Sequence, residues 1–150
     1  MDNKIVTTNR KAFHDYLILE TFEAGMVLAG YEVKSLRKGE VNLTDGFVSF
    51  KNGEAFIENV HIAPYSQIST HVQDYDARQR RKILLHKNEI KRLHARVREK
   101  GLTVVPLEIF FSPRGLAKVK LGLAKGKRAA DKRETLKRKD IDREIRRELS

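Results

Sequence analysis

The sequence predicts a mainly β domain with a minor helical share, followed by a basic C-terminal tail. Three observations predict it. Asn52-Gly53 stands between FVSFK and EAFIENV, and a type I′ hairpin turn needs positive φ at both central residues, which Asn and Gly tolerate best. Ala117 to Leu123 alternates, with Val119, Leu121 and Leu123 on one face and Lys118, Lys120 and Gly122 on the other. That apolar period ends at Gly126, and from Lys127 onward the chain is small, polar and charged. The packed domain is therefore expected over residues 1–125 and the tail over 126–150.

In chain order, residues 1–10 are polar and expected to be loose, apart from Ile5 and Val6. Asn9 to Tyr16 (NRKAFHDY) reads as a basic, turn-like entry. Tyr16 to Phe22 reads as a buried strand, and Glu23-Ala24-Gly25 is expected to break it. Met26 to Arg37 begins ambiguously, as strand or short helix; Glu32 to Lys38 fits a short helix ended by Gly39. Phe47 to Phe50 is expected to carry a bulge, because Phe47, Val48 and Phe50 do not alternate cleanly. Residues 64–81 are polar and irregular, and a long mobile loop is expected there. It closes on the basic run Arg78, Arg80, Arg81, Lys82. Ile83-Leu84-Leu85 is a short apolar anchor. Lys87 to Lys100 is helical, with Ile90, Leu93 and Val97 on one face and Gly101 as its stop. Leu102 to Phe111 is a strand in which Pro106, unable to donate to a ladder, marks an edge or a bulge. Ser112 to Gly115 is a turn. About six strands separated mainly by turns, with one main helix and one or two short ones, argue for an antiparallel barrel or sandwich. A helix between the early and late strands suits a small Greek-key barrel of the OB type, a fold that commonly binds nucleic acid.

Net charge is +11 and the pI is about 10.0. Residues 1–124 hold 20 Lys/Arg against 14 Asp/Glu, and residues 125–150 hold 11 against 6, so domain and tail are both basic. This charge implies a polyanionic partner. The absence of cysteine excludes disulfides, thiolate metal sites and cysteine nucleophiles. No apolar run approaches the roughly 20 residues of a membrane span, and MDNKIVTTNRK lacks the apolar core of a signal peptide; the cytoplasm is the expected compartment. His14, His61, His71, His86 and His94 show no H-E-x-x-H spacing, and no metal or other cofactor is expected. Gly122 to Lys127 (GLAKGK) fails as a phosphate loop, since it is one residue short and Arg128 stands where Ser or Thr should hold magnesium. His14-Asp15 resembles half a catalytic pair, but neighbours on a strand point apart.

Binding features are stronger. Basic residues interleave with aromatic or apolar ones at Arg10, Lys11, Phe13, His14 and Tyr16, and recur at Lys34 and Arg37, at Arg78 to Lys82, and at Lys118 and Lys120. Cations neutralise phosphates and aromatic faces stack on unpaired bases. In the tail, Lys132 to Ser150 has good helix formers, and Ile141, Ile145 and Leu149 recur at a spacing of four. Disorder in the free protein and helix on a polyanionic surface are expected, with a helix packed on the barrel as the alternative. An acid–base nuclease using His14 and His94 is the rival enzyme reading, and association with anionic membranes is a third.

Several blocks resemble, in order and in register, the SsrA-binding protein (small protein B) family. They are NRKAFHDY, EAGMVLAGYEVKSLRKG, NLTDGF, IAPY, RKILLHKNEI, GLTVVPLEIFF and AKVKLGLAKGKRAADKR, and they run nearly end to end. The resemblance implies an OB-type barrel, without enzymatic activity, that binds the tRNA-like domain of transfer-messenger RNA. It also implies delivery of that RNA to the vacant A site of stalled ribosomes, with no membrane partner and a monomer when free. Carried over by motif, Asn9, Arg10, Lys11, Glu23, Ala24 and Gly25 belong to the RNA-binding face; Lys34, Arg37 and the segment holding Lys82 and Leu84 match blocks near it. The tail, mapped to Lys125, Gly126, Lys127, Arg128, Asp131, Lys132, Arg133 and the remaining residues to Ser150, would contact small-subunit ribosomal RNA at the decoding centre and enter the empty mRNA channel as a helix. Ala130 departs from the His or Tyr usual before Asp-Lys-Arg, and Ile141 stands roughly where the family often has Trp. The lost ring would remove one stacking contact, about 1–3 kcal/mol in general.

Overall fold

The computed structural model describes residues 3–65, 75–99 and 101–127. In chain order the elements are β1 (Lys4–Thr8), α1 (Arg10–Asp15), β2 (Tyr16–Met26), α2 (Gly30–Arg37), β3 (Val41–Asn42), β4 (Phe47–Lys51), β5 (Glu54–Glu58), β6 (His61–Ile62), β7 (Arg81–Leu84), α3 (Lys87–Arg96), β8 (Leu102–Phe111) and β9 (Ala117–Gly126). Among the described residues the fold is mainly β, with three short helices. One seven-stranded antiparallel sheet runs in the order β1-β8-β9-β2-β7-β5-β4, and β3 pairs with β6 apart from it. The strands therefore outnumber the six expected, mainly because short pairings such as β3–β6 carry no sequence period.

Several expectations hold. Asn52 (φ 53°) and Gly53 (φ 76°) make the β4–β5 turn, and Gly39 (φ 74°) follows α2. The β8–β9 register shifts between Pro106 and Glu108, so Pro106 does mark a bulge. Others are corrected. Residues 4–8 are not loose: β1 pairs with β8, where bare edge N–H and C=O groups of β8 would otherwise remain. NRKAFHDY is not a turn but the helix α1, because Asn9 caps it. Glu23-Ala24-Gly25 does not break β2; these residues pair with Lys120, Val119 and Lys118 of β9, and Gly25 also faces Leu84 of β7. The β4–β5 ladder is regular from Phe47↔Glu58 to Lys51↔Glu54, with no bulge. The main helix closes earlier than expected, at Val97 rather than Lys100.

The main core lies on one side of the sheet. It gathers Phe22, Ile57, Ile83, Ile109, Val119, Leu121 and Leu123 from the strands, and is covered by Leu36 of α2 and by Ile90 and Leu93 of α3. A smaller cluster of Ala12, Val105, Leu107 and Ala124 seats α1 on the opposite side. Asn9 fixes that seat. It is buried; its Oδ1 accepts from Ala12 N–H (3.1 Å), and its Nδ2 donates to the carbonyls of Pro106 (2.9 Å) and Leu43 (3.2 Å).

Arg81, from the expected basic loop, is also buried. It is 3% exposed, as is Glu32 of α2, and its Nε donates to Glu32 Oε2 at 2.6 Å. Its other donors reach the Val60 carbonyl (2.8 Å), the Ala77 carbonyl (3.0 Å) and the Tyr75 hydroxyl (3.1 Å). Burial alone would raise the Glu32 carboxyl. The Ala29 N–H, then Arg81 and Gln79, outweigh it, and the net direction is down from 4.5. Burial pushes the Tyr75 hydroxyl up to about 12, so it stays neutral at ordinary pH.

These contacts set three expected outcomes. Arg81→Ala leaves the Glu32 charge buried without its partner and is expected to cost about 3–5 kcal/mol in urea unfolding, whereas Arg81→Met combined with Glu32→Leu costs less than either charge-stranding single change. Because Glu32 titrates below its ordinary 4.5 when folded, its stabilisation is complete above that pH and is lost as pH falls beneath it, so Glu32→Gln flattens stability against pH on the acid side. Asn9→Asp keeps the cap acceptor but loses both donors; Asn9→Ala loses all three bonds and should lower the melting temperature of the free protein without any RNA present.

Candidate nucleic-acid interface

Strand alternation sorts side chains between the core and the opposite side of the sheet. On β9, Val119, Leu121 and Leu123 face the core, as the sequence predicts, and Lys118 and Lys120 face away. The register then fixes their neighbours. Lys120 lies between Glu23 of β2 and Glu108 of β8; Lys118 lies between Gly25 of β2 and Phe110 of β8. Gly25 meets Leu84 of β7, and Lys82 on the same side of β7 is opposite Phe56 of β5. Glu23, Gly25, Lys82, Leu84, Lys118 and Lys120, drawn from distant stretches of sequence, therefore share one side of the three neighbouring strands β9, β2 and β7.

The chemistry of this side suits a polyanion. Among the described residues, the half-buried Lys118 and Lys120 make no ion pair within 4.0 Å, Lys120 having Glu23 and Glu108 as its cross-strand neighbours, and either cation can serve a phosphate. Lys82 is partly engaged, its Nζ 2.9 Å from Glu54 Oε2. Leu84 is 56% exposed, an apolar post beside the cations. At Gly25 an added Cβ would meet Leu84 Cδ1 at an ordinary 3.7 Å, so packing does not demand glycine. Its missing side chain leaves a low floor between Lys118 and Leu84.

The helix α1 sits on the same side, toward the other ends of β2 and β9, since Ala124 alternates in phase with Lys118 and Lys120. Gly122 permits this arrangement: a Cβ there would lie 2.9 Å from Leu107 Cδ1 and 3.1 Å from Ile18 Cγ2. Arg10, Lys11, Phe13 and His14 are exposed along α1. His14 and Asp15 do not point apart as strand neighbours would; within α1, His14 Nδ1 lies 2.9 Å from Asp15 Oδ1. At the tail junction, Lys125 and Gly126 remain in β9 opposite Leu17 and Tyr16, and Lys127 Nζ is 3.4 Å from the Phe13 carbonyl. Arg128, Asp131, Lys132 and Arg133 lie outside the described residues, as does Ala130.

Other predicted residues stand elsewhere. Asn9 and Ala24 are buried, so they shape this side rather than present themselves on it. Lys34 and Arg37 belong to α2, on the core side of the sheet. There Lys34 Nζ lies 5.5 Å from the Tyr65 ring centre, and the Arg37 guanidinium 4.2 Å from that of Phe111. Arg37 lines a cleft with Lys4 and Lys38, and Lys38 shares the Tyr65 ring with Lys34, so these cations make a separate basic patch. His94 stacks on Phe50 (5.3 Å) from α3, also on the core side, so it is not brought to His14. Glu108 and Phe56 reach the outer side without having been expected there; strand alternation held the signal, but only the register places them. Among the described residues no cluster of His, Asp and Glu could hold a metal ion, and no helix is long and apolar enough to cross a membrane.

Comparison with known proteins agrees with the motifs. A family model described as SmpB protein matches residues 6–150. An SsrA-binding protein of Enterococcus hirae is 53% identical over 148 residues, covering 99% of this chain and 94% of the relative. One from Geobacter metallireducens is 54% identical over 145 residues, covering 97% and 93%. A chain in the solved structure "tmRNA-SmpB: a journey to the center of the bacterial ribosome" is 52% identical, with a TM-score of 0.71, covering 93% of this chain and 96% of that one. With a family match across almost the whole length and relatives above half identity, the chain belongs to the SmpB, or SsrA-binding protein, family.

Proposed function

We propose that this chain is a non-enzymatic RNA-binding protein that holds the tRNA-like domain of transfer-messenger RNA and brings it to the A site of stalled bacterial ribosomes for trans-translation. The names of its relatives and of the similar solved structure support the RNA and the ribosome as partners. The observation that carries the reading at residue level is the meeting of Glu23, Gly25, Lys82, Leu84, Lys118 and Lys120 on the outer side of β9, β2 and β7. Arg10, Lys11 and His14 of α1 extend that side. Lys118 and Lys120, which make no ion pair among the described residues, neutralise phosphates, Leu84 offers an apolar contact to ribose or base, and Glu23 can accept from a base edge or a 2′-hydroxyl. Lys34 and Arg37 form a second basic patch, which supports an additional RNA contact from the far side.

We read the sheet as an OB-type Greek-key barrel. Strands β4 and β8 touch without pairing, Val48 of β4 and Ile109 of β8 share one core, and Asn9 ties α1 to both Pro106 and Leu43. Residues 1–125 are the RNA-binding body. The protein is a cytoplasmic monomer when free, and the remaining basic segment, with Lys125 and Lys127 at its root and Arg128, Asp131, Lys132 and Arg133 outside the described residues, occupies the empty mRNA channel near the decoding centre. Its cations substitute there for those that otherwise screen ribosomal RNA.

Two measurements check the two halves. Lys118→Ala with Lys120→Ala is expected to weaken gel-shift binding of the tRNA-like domain and to flatten the plot of log K against log salt by about 1–2 in slope. The labelled RNA should stay intact on prolonged incubation; cleavage would favour the nuclease reading. Replacing Lys127, Arg128, Lys132 and Arg133 with Ala should leave that affinity within about twofold (a change under roughly 0.5 kcal/mol) and abolish peptide tagging in a reconstituted stalled-ribosome assay.

A further inference from the structure

The basic run before and within β7 divides into four different fates. Arg78 Nη1 donates to the carbonyl and the Oδ1 of Asn59 (3.2 and 3.1 Å), holding a residue at φ 59°. Arg81 is buried against Glu32, and Lys82 reaches Glu54. Arg80 differs from all three. It is exposed, it makes no hydrogen bond or ion pair among the described residues, and its guanidinium carbon lies 4.7 Å from the centre of the Phe56 ring. Phe56 is on the outer side of β5, opposite Lys82, so the pair adjoins the row of Lys118, Gly25 and Leu84. From β9 to β5 is three inter-strand steps, about 14 Å, the span of a few nucleotides.

We propose that Arg80 and Phe56 form a stacking platform for one unpaired base of the bound RNA, at the β5 end of the interface. The inference rests on the RNA-binding reading of this side and adds to it a residue pair that selects unpaired over duplex RNA. A guanidinium lying over a ring has one side covered by apolar carbon and the other free. That free side is flat, charged and weakly hydrated, and no carboxylate among the described residues pairs with it. Unpaired bases stack on Arg planes of this kind, whereas a lone phosphate needs only a point charge. Lysine would serve phosphate equally well but could not present a plane.

That contrast supplies the test. Full-length Arg80→Lys, Arg80→Ala and Phe56→Leu are titrated against the tRNA-like domain, with dimethyl sulfate footprinting of its unpaired bases and thermal melts of each free variant. Arg80→Lys is expected to lose about 5- to 150-fold in affinity with an unchanged salt slope, and to re-expose one unpaired base to the reagent. Arg80→Ala should lose the same protection and also flatten the slope. If Arg80→Lys binds and protects as the parent does, Arg80 is a phosphate contact and the platform is overturned. Should Phe56→Leu melt early, Arg80→Lys alone decides. If Lys118→Ala with Lys120→Ala weakens binding while the Arg80 variants do not, this inference fails and the interface stands. If none of them weakens it, the interface itself is misplaced.

Discussion

The buried contact between Arg81 and Glu32 is the constraint on which the proposed RNA-binding side of this molecule depends. An ion taken out of water is tolerated only when paired and hydrogen-bonded, and this guanidinium has Glu32, Val60, Ala77 and Tyr75 around it. Because Arg81 must face inward, the phase of β7 is fixed. Ile83 then faces the core, and Lys82 and Leu84 face out beside Gly25 of β2. A one-residue slip would strand a guanidinium in solvent and drive Lys82 and Leu84 into the core. The same contact ties α2 to β7 and to the 75–79 segment, so one ion pair sets both the strand phase and the packing of three chain segments.

Around this phase the two sides of the sheet acquire different work. The core side carries the main cluster of buried apolar residues and is covered by α2 and α3. The outer side carries α1 at one end of β2 and β9; beyond it stand Leu84, Lys82 with its partner Glu54, and Lys118 and Lys120, which make no ion pair among the described residues. Small residues make this possible. Gly122 lets Ile18 and Leu107 approach each other beneath α1, and Gly25 leaves space beside Leu84. Affinity for a phosphate backbone needs open cations, and recognition of folded RNA needs them on a surface of fixed shape; a sheet with a satisfied core supplies both.

The sequence made some of this legible. Asn52-Gly53 announced its hairpin through backbone chemistry that few other dipeptides allow, and the alternation of β9 separated Lys118 and Lys120 from the core directly. Pro106 signalled its bulge for the same local reason. What was hidden depended on partners far along the chain. Arg81 looks like Arg80 and Lys82 in sequence; only Glu32, 49 positions away, turns it inward. Asn9 gave no helix period to read, because α1 has six residues and is held by Pro106 and Leu43 rather than by its own propensity. Glu23-Ala24-Gly25 looked like a stop because Gly weakens strands, yet β9 and β7 both pair there and carry β2 through.

The most direct measurement is an amide chemical-shift map of the labelled protein titrated with the tRNA-like domain of transfer-messenger RNA. The account predicts shifts concentrated on the outward positions of β9, β2 and β7 and on α1, with little change at inward Ile83, Val119 and Leu121 or around Arg81 and Glu32. Shifts confined to α2 and its neighbours, with the outer side of β9 silent, would contradict it.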